Sequence, residues 1–453
     1  MNNLILKYKV FEGEQFRKLL KNSRTNTLYY KKLNLNKTWL SDLIPNFTNN
    51  NNHHFSYHEK IKKFFKLVTK IFFYDYDLIK KNNGKDKIWI LISGSIRKSQ
   101  DDLIKSEEKS IEKPSIVSWK RKFKIKKISK IINQITYSYL TIKYLKKIYK
   151  NSDYFDIAYK SLVSIDLYDS QMLNKPKAIL SFKDFQRHEN AIIQKSKILK
   201  IQTFTTQHTV HPDFIKNNER GGNLVSLNCE SKNIFLWGNL LKSVYLKYNQ
   251  DKIFHLSENL FIPKSKKIIL RKKKGILFSL GSKRHIIENL HMIKLLSKNK
   301  LYFKKNFKIF IKLHPAINKS YFNKIFKNYF TDLDHQVLES KNKSNIIMSN
   351  KNLFAITGLS GSYYDCLYFG LKTLFFDYGF KLSKPLPRAT FNLNTNSNLK
   401  KELYKLEKLS NIEWKNKTNM ILKEAWGLDV NKKNKMKLTD QISKIINKQS
   451  SRN

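Results

Sequence analysis

The sequence predicts an α/β protein made of two Rossmann-like domains with parallel sheets. Three observations carry this reading. From Tyr154 onward, short apolar runs that read as buried strands alternate with helical patterns, which is the signature of βαβ units. Several strand-like runs along the chain end in small-residue turns, at Ser93–Ser95, at Gly281 and at Thr357–Ser362, and the carboxyl ends of strands are where open parallel sheets bind ligands. The chain has 453 residues, of which 41% are hydrophobic and 13% aromatic, enough for two cores and too apolar for disorder. The patterns divide the chain into 1–228, 229–398 and a helical remainder, 399–453.

The stretch before Lys85 gives few signals. Asn49–His54 is a polar tract that reads as an exposed loop, and its two histidines have no carboxylate or cysteine spaced to complete a metal site. Ile61–Tyr74 has apolar residues at helical spacing, and Ile88–Ser95 reads as a buried strand with its turn. Trp119–Lys150 carries eleven Lys or Arg and no acid, with Ile125, Ile128, Ile131, Ile132, Ile135, Tyr139, Ile142 and Leu145 at three- and four-residue steps. It is expected to form one or two amphipathic helices whose apolar row packs on the core and whose lysines face water, with docking on anionic lipid as the functional alternative.

A helix through Ile157–Leu173 then leads to the strand Ala178–Phe182, a helix ending at Leu199 and the strand Ile201–His208. Right-handed crossovers place the loops after these strands at one sheet edge. Asp184, His188 and Glu189 would share that edge with Gln207, His208, His211 and Asp213. This is the cluster of acid–base candidates in the first half, and Asp184 or Glu189, then His208 or His211, are the candidates for a general base.

Arg220–Asn223 reads as a hinge, and Asn233–Gly238 as the first strand of the second domain. The strand Gly275–Gly281 runs into Gly281, Ser282, Lys283 and Arg284, a Gly-Ser turn with two cations suited to a phosphate, or simply to solvent. Lys308–Pro315 is an alternating strand that ends in His314-Pro315; a helix near Tyr321–Tyr329 and a short strand Asn345–Met348 follow. Leu353–Ile356 is a further strand, followed by Thr357, Gly358, Ser360, Gly361 and Ser362, a helix to Phe369 and a strand at Lys372–Phe376. Small residues at such a turn admit a ligand to the backbone, and hydroxyls and helix N–H groups suit a phosphate. His314 and the Ser360–Ser362 turn both fall at carboxyl ends of strands, so they are expected to face one crevice.

Net charge is +53, from 88 basic and 35 acidic residues. Lys, Asn and Ile are abundant throughout, so this charge indicates attraction to polyanions rather than a particular nucleic-acid module. No RNA-binding aromatic motif, zinc module or helix-turn-helix pattern is present. Cys229 and Cys366 form neither a metal spacing nor a disulfide framework. No signal-peptide core and no run of about 18 apolar residues are found, so a cytoplasmic protein without a spanning helix is expected.

A strand ending in His314-Pro315, followed some tens of residues later by a Ser-rich turn that opens a helix, resembles the nucleotide-binding domain of GT-B glycosyltransferases. It is most similar to bacterial capsule, lipopolysaccharide and teichoic-acid enzymes that use CMP- or CDP-linked donors: sialyltransferases, capsule Kdo transferases and CDP-glycerol glycerophosphotransferases. The resemblance covers residues 190–377 and implies that His314 and Ser360 or Ser362 bind donor phosphate. Related enzymes often carry Gln-His-Gly after the corresponding first-domain strand; here Thr209 follows Gln207-His208. The implied protein has two domains facing a cleft, with the acceptor on the first, the nucleotide donor on the second and terminal helices packing back across both. Its implied activity is transfer of a sugar, from a CMP-linked donor, to a glycan or lipid-linked acceptor in surface-polysaccharide synthesis. Inversion without a metal is expected, since no Asp-x-Asp motif stands in a position to hold one. No cofactor is expected, the nucleotide-activated donor being a substrate, and the expected partners are the donor, the acceptor and an anionic membrane surface, without a specific nucleic acid. The alternatives are polyol-phosphate transfer from a CDP-linked donor, sugar-nucleotide epimerisation on the same fold, and basic nucleic-acid binding.

Overall fold

The computed structural model describes residues 27–39, 57–82, 85–92, 98–148, 153–172, 175–182, 184, 186–207, 229–258, 275–281, 286–314, 317–329, 333–338, 353–358, 361–376, 391–393, 397–428 and 436–451. A short hairpin, β1 (Tyr29–Tyr30) and β2 (Leu33–Asn34), precedes helix α1 (Tyr57–Phe73). Then come β3 (Tyr74–Lys80), β4 (Lys85–Leu91), α2 (Lys98–Glu107), β5 (Pro114–Phe123), α3 (Ile128–Ile148), α4 (Tyr154–Asp169) and β6 (Ala178–Ser181). The first domain is completed by α5 (Arg187–Ile198), β7 (Gln202–Thr206), β8 (Asn233–Trp237), α6 (Lys242–Tyr248) and β9 (Ile253–Ser257). Its seven strands are ordered β3-β5-β4-β6-β7-β8-β9. All pairings are parallel except that of β3 with β5.

The second domain contains β10 (Gly275–Ser279), α7 (Ile286–Lys298), α8 (Lys300–Asn306), β11 (Lys308–Lys312), α9 (Lys319–Phe326), β12 (His335–Leu338) and β13 (Leu353–Thr357), then α10 (Ser362–Tyr368), β14 (Lys372–Phe376) and β15 (Asn392–Leu393). Its order, β12-β11-β10-β13-β14-β15, is parallel throughout. The chain builds outward from β10 on one side and then returns to build on the other, the doubly wound pattern with its switch point between β10 and β13. Ile276, Leu277 and Phe278 are all fully buried, which is why this strand reads as an unbroken apolar run. Helices α11 (Leu399–Lys408), α12 (Asn411–Trp426) and α13 (Leu438–Ser450) end the chain.

The terminal helices join the two halves. Gly238, just after β8, meets Gly427, the left-handed cap of α12; both have positive φ, and the backbones touch so closely that neither site has room for a Cβ. On its other side, α12 sets Trp426 against Tyr364 and Tyr368 of α10. Helix α13 returns to the first sheet, where Leu438 and Ile442 pack with Ile88, Ile90 and Phe204. Glu107 there accepts the N–H groups of Leu438, at 3.2 Å, and Thr439, at 2.9 Å. Two Rossmann-like domains facing a cleft are the GT-B arrangement. No described helix is long and apolar enough to cross a membrane.

Three expectations are corrected. The strand Asn233–Trp237 belongs to the first sheet, beside β7, so the change of sheet falls between Ser257 and Gly275 rather than at residue 229. Trp119–Phe123 is the end of β5 rather than helix; it pairs antiparallel with β3, whose Asp77 meets Lys122 at 3.2 Å. The helix that follows bears out part of the expected apolar row: Leu145 is in the core with Ile131 and Ile142 packed against it, whereas the rest of the row is exposed. Gln134, Ser138, Thr141 and Leu145 of α3 face inward, while Ile128, Ile132, Ile135 and Tyr139 face out. The reason is a buried ion network beneath the helix. Lys126 donates to Gln134 Oε1 and to the Lys70 carbonyl, each at 2.6 Å, Lys70 pairs with Asp166, and Lys130 pairs with Asp75 at 2.7 Å. Buried charges need polar partners, so Gln134 is turned inward on the same side of α3 that packs Ile131, Ile142 and Leu145 on the core. Burial pulls the Lys126 ammonium down to about 8. The strand expected at Asn345–Met348 lies outside the described residues, and β12 at His335–Leu338 is an edge strand that sequence patterning did not reveal.

Candidate functional site

The candidate site lies at the carboxyl edge of the second sheet. Ser279 ends β10 and stands in register with Lys312 of β11 on one side and Thr357 of β13 on the other, so three neighbouring strands finish in one row. Gly281, His314 and Gly358 follow within two residues of those ends. Gly281 and Gly358 leave the strands that flank the switch point, where an open α/β sheet forms its ligand crevice.

Side chains from distant parts of the sequence hold this edge. The Ser279 and Ser362 hydroxyls are 2.7 Å apart and both buried, which ties the first residue of α10 to the end of β10. Asn289 of α7 clamps Gly281 through both halves of its amide: Oδ1 accepts from the Gly281 N–H at 2.8 Å, and Nδ2 donates to its carbonyl at 3.1 Å. Thr357 Oγ1 is buried without a hydrogen-bond partner among the described residues, although such groups are normally paired. His314 is half-buried, and its carbonyl accepts from Ile317 N at 2.8 Å, which turns the chain at the strand end. Lys312 supplies a half-buried cation on the same row. It offsets part of the effect of burial on Asp365 of α10, whose carboxyl burial pushes up.

Of the predicted phosphate-site residues, Gly281, His314, Gly361 and Ser362 come together at this edge, while Ser282, Lys283, Arg284, Pro315 and Ser360 lie outside the described residues. Helix α10 is only two turns long, and its cap residue Gly361 makes no side-chain cap bond. The chemistry on offer is therefore hydroxyls, backbone N–H groups, the Lys312 cation and the His314 imidazole. Ser279 and Asn289 are the residues that motif reading missed, while Thr357 lies in the turn it singled out. Ser279 had one visible signal, a hydroxyl two residues before a glycine in an otherwise apolar strand.

The first-domain candidates are placed differently. Asp184 is completely buried; its Oδ2 accepts from Ser231 N at 2.7 Å, and its carbonyl accepts from Asn190 Nδ2 at 2.9 Å. Burial pushes its carboxyl up, against the pull of the Ser231 N–H. Glu189 is also buried and accepts from the Ser181 hydroxyl. Both carboxylates act as ties, Asp184 from the β6–α5 loop to the chain entering β8 and Glu189 from α5 to the end of β6. Gln207 is likewise spent, with its Oε1 accepting from Trp237 N at 3.0 Å. His208 and His211 lie outside the described residues. A separate cavity of about 210 Å³, between α3 and α4 and lined in part by Tyr30, Lys130, Gln134 and Asp169, shares no residue with either sheet edge.

No protein-family model matches the chain, and comparison with curated proteins gives no match. Among solved structures it is similar to the UDP-GlcNAc 2-epimerase of Neisseria meningitidis bound to UDP-GlcNAc, at 15% identity and a TM-score of 0.45, over 81% of this chain and 100% of that one. The UDP-GlcNAc 2-epimerase of Methanocaldococcus jannaschii in complex with UDP-GlcNAc and UDP is 11% identical, with a TM-score of 0.41, over 80% and 98%. The pneumococcal O-GlcNAc transferase GtfA in complex with UDP and GlcNAc is 11% identical, with a TM-score of 0.37, over 60% and 56%.

Proposed function

We propose that the chain is a glycosyltransferase that takes a sugar from a nucleotide-activated donor and passes it to a glycan or lipid-linked acceptor of a cell-surface polysaccharide. The observation that carries this reading is the row formed by Ser279, Thr357 and Ser362 at the switch point, flanked by Gly281 and Gly358. A hydroxyl has one donor and two acceptor positions, so the Ser279–Ser362 pair can bond to itself and still reach a phosphate oxygen. The Thr357 hydroxyl, without a partner among the described residues, is a further donor on the same row. Lys312 adds positive charge, and the His314 imidazole a polar group, where the departing phosphate gathers negative charge, which is the point at which electrostatic stabilisation lowers the barrier.

In the transfer, the acceptor oxygen bonds to the anomeric carbon as the bond from that carbon to the phosphate oxygen breaks. The bonding electrons leave with the nucleotide, and the acceptor proton passes to a general base. With Asp184 and Glu189 buried in structural ties, His208 and His211 are the base candidates. The preference for a CMP-linked donor rests on the resemblance of His314-Pro315 and Ser360–Ser362 to capsule-type enzymes.

The test is nucleotide release from CMP-, CDP- and UDP-activated donors, each with and without a glycan acceptor. The proposal expects release that depends on acceptor and falls at least about tenfold in Ser362→Ala or His314→Ala, in line with loss of one charge-stabilising donor. Conversion of a UDP-sugar to its epimer without acceptor would replace transfer with epimerisation on the same site. Release of glycerol- or ribitol-phosphate from a CDP-linked donor to acceptor would move the assignment to polyol-phosphate transfer.

A further inference from the structure

An apolar face lies open on the first domain. Along α3, Ile128, Ile132, Ile135 and Tyr139 recur at steps of four, three and four, so they line one side of the helix. Ile128 is 75% exposed and Ile132 is 56% exposed. At about 1.5 Å per residue, the row runs roughly 16 Å. It continues past the helix start through Ile125, 84% exposed, to the exposed rings of Phe73 and Phe123, which stack with centroids 6.1 Å apart. The Lys124 N–H donates to the Phe73 carbonyl at 2.9 Å and holds the end of α1 beside the end of β5. The opposite side of α3 is bound to the buried ion network, so the helix cannot roll over to hide its isoleucines.

Positive charge frames this face. From Trp119 to Ser152 the chain has no Asp or Glu. Arg121, Lys124 and Lys127 are exposed at one end of the row, and Lys143, Lys146 and Lys147 at the other. Lys122 is the member of this basic stretch that meets an exposed acid, Asp77.

We propose that this face docks on an anionic lipid bilayer. The Phe73 and Phe123 rings and the isoleucine row enter the boundary between headgroups and acyl chains, and the surrounding lysines meet lipid phosphates. The combination of features selects this occupant. A second copy of the chain would set lysines against lysines. A nucleic acid would use the charge, and aromatic rings for stacking, but gains nothing from a row of isoleucines. A bilayer uses both the charge and the aliphatic surface.

Sedimentation with vesicles tests the proposal. One set contains phosphatidylcholine alone, and the other adds about one third phosphatidylglycerol. The protein is expected to bind the second set at least about tenfold more tightly, and less so as salt rises. Replacing Ile128, Ile132 and Ile135 together by Ser should weaken that binding at least about tenfold, with nucleotide binding unchanged and melting temperature little changed, because these side chains are largely exposed and outside the core. Should the triple variant fail to fold, Ile125→Ser is the substitute and should show a smaller loss in the same direction. Vesicle binding that the serine variants leave intact would overturn the proposal, as would no binding to either vesicle. So would retention on RNA with no vesicle binding, or a dimer in solution that the serine variants convert to monomer.

Discussion

The contact between Gly238 and Gly427 can be probed by one methyl group. In Gly427→Ala the new Cβ would stand 2.5 Å from Ser257 O and 2.9 Å from Gly238 N, both backbone atoms that no rotamer change can move. The residue also has φ +65°, a left-handed conformation that costs an L-residue about 1–2 kcal/mol. Forcing the cap of α12 away from the ends of β8 and β9 adds about 1–3 kcal/mol of overpacking. The expected loss is therefore roughly 2–5 kcal/mol, from these two terms. Gly370→Ala is the internal control: φ is +78°, but nothing lies within 4 Å of the added Cβ, so only the conformational part is felt. Urea unfolding of both variants, followed by tryptophan fluorescence, gives the comparison, with Trp237 and Trp426 beside the contact as reporters. Nucleotide affinity should hold in Gly427→Ala, because the donor edge lies within one domain, while turnover should fall as the two domains lose their seating. Equal destabilisation by the two variants would refute the close approach and, with it, this account of how the domains are joined.

Two further outcomes follow from buried carboxylates. Asp184→Ala removes the acceptor of the buried Ser231 N–H and should destabilise the fold by about 1–3 kcal/mol while leaving nucleotide affinity unchanged. Full stability together with lost turnover in that variant would return Asp184 to the catalytic list. Glu230 is the second case. Burial opposes its ionisation, but Lys37 at 2.8 Å and Lys197 at 2.6 Å outweigh burial, so its carboxyl lies below the ordinary value of 4.5. A depressed carboxyl contributes stability that is fully present above its unfolded value and is lost as pH falls through the folded one. Unfolding midpoints should thus drop on acidification below about pH 4.5, and Glu230→Gln should flatten that drop; an unchanged acid limb in the variant would remove the assignment.

What sequence patterning could and could not reveal follows from where each signal arises. Strands β10, β11 and β13 were legible because burial on both faces makes each a short apolar run. The same property hid the membership of β8: an apolar run covered on both faces looks alike in either sheet. Trp119 and Phe123 stand four apart around Lys120, Arg121 and Lys122, a helical step that merges into those from Ile125, so the end of β5 was read as helix. The orientation of α3 depends on Lys70, Asp75, Lys126 and Asp166 meeting beneath it, a coincidence of three separate segments that periodicity cannot register. In the candidate site, His314 and Ser362 were visible as strand-end residues. The bond from Ser279 to Ser362 spans 83 residues and exists only through the pairing of β10 with β13. Asp184 and Glu189 sit near a helix start, where a carboxylate that ties a loop and one that takes a proton look the same in sequence.

The central claim is that the edge formed by Ser279, Thr357 and Ser362 binds the phosphate of a nucleotide. The most direct measurement is the unfolding temperature of the protein titrated with CMP, CDP, UDP, GDP and dTDP, repeated on Ser362→Ala and His314→Ala. A ligand that binds only the folded state stabilises it by about 2.7 kcal/mol at a hundredfold excess over Kd. The account predicts a saturating rise with one nucleotide base, sharply reduced in both variants. No rise with any of the five, or an equal rise in the wild type and both variants, would contradict it.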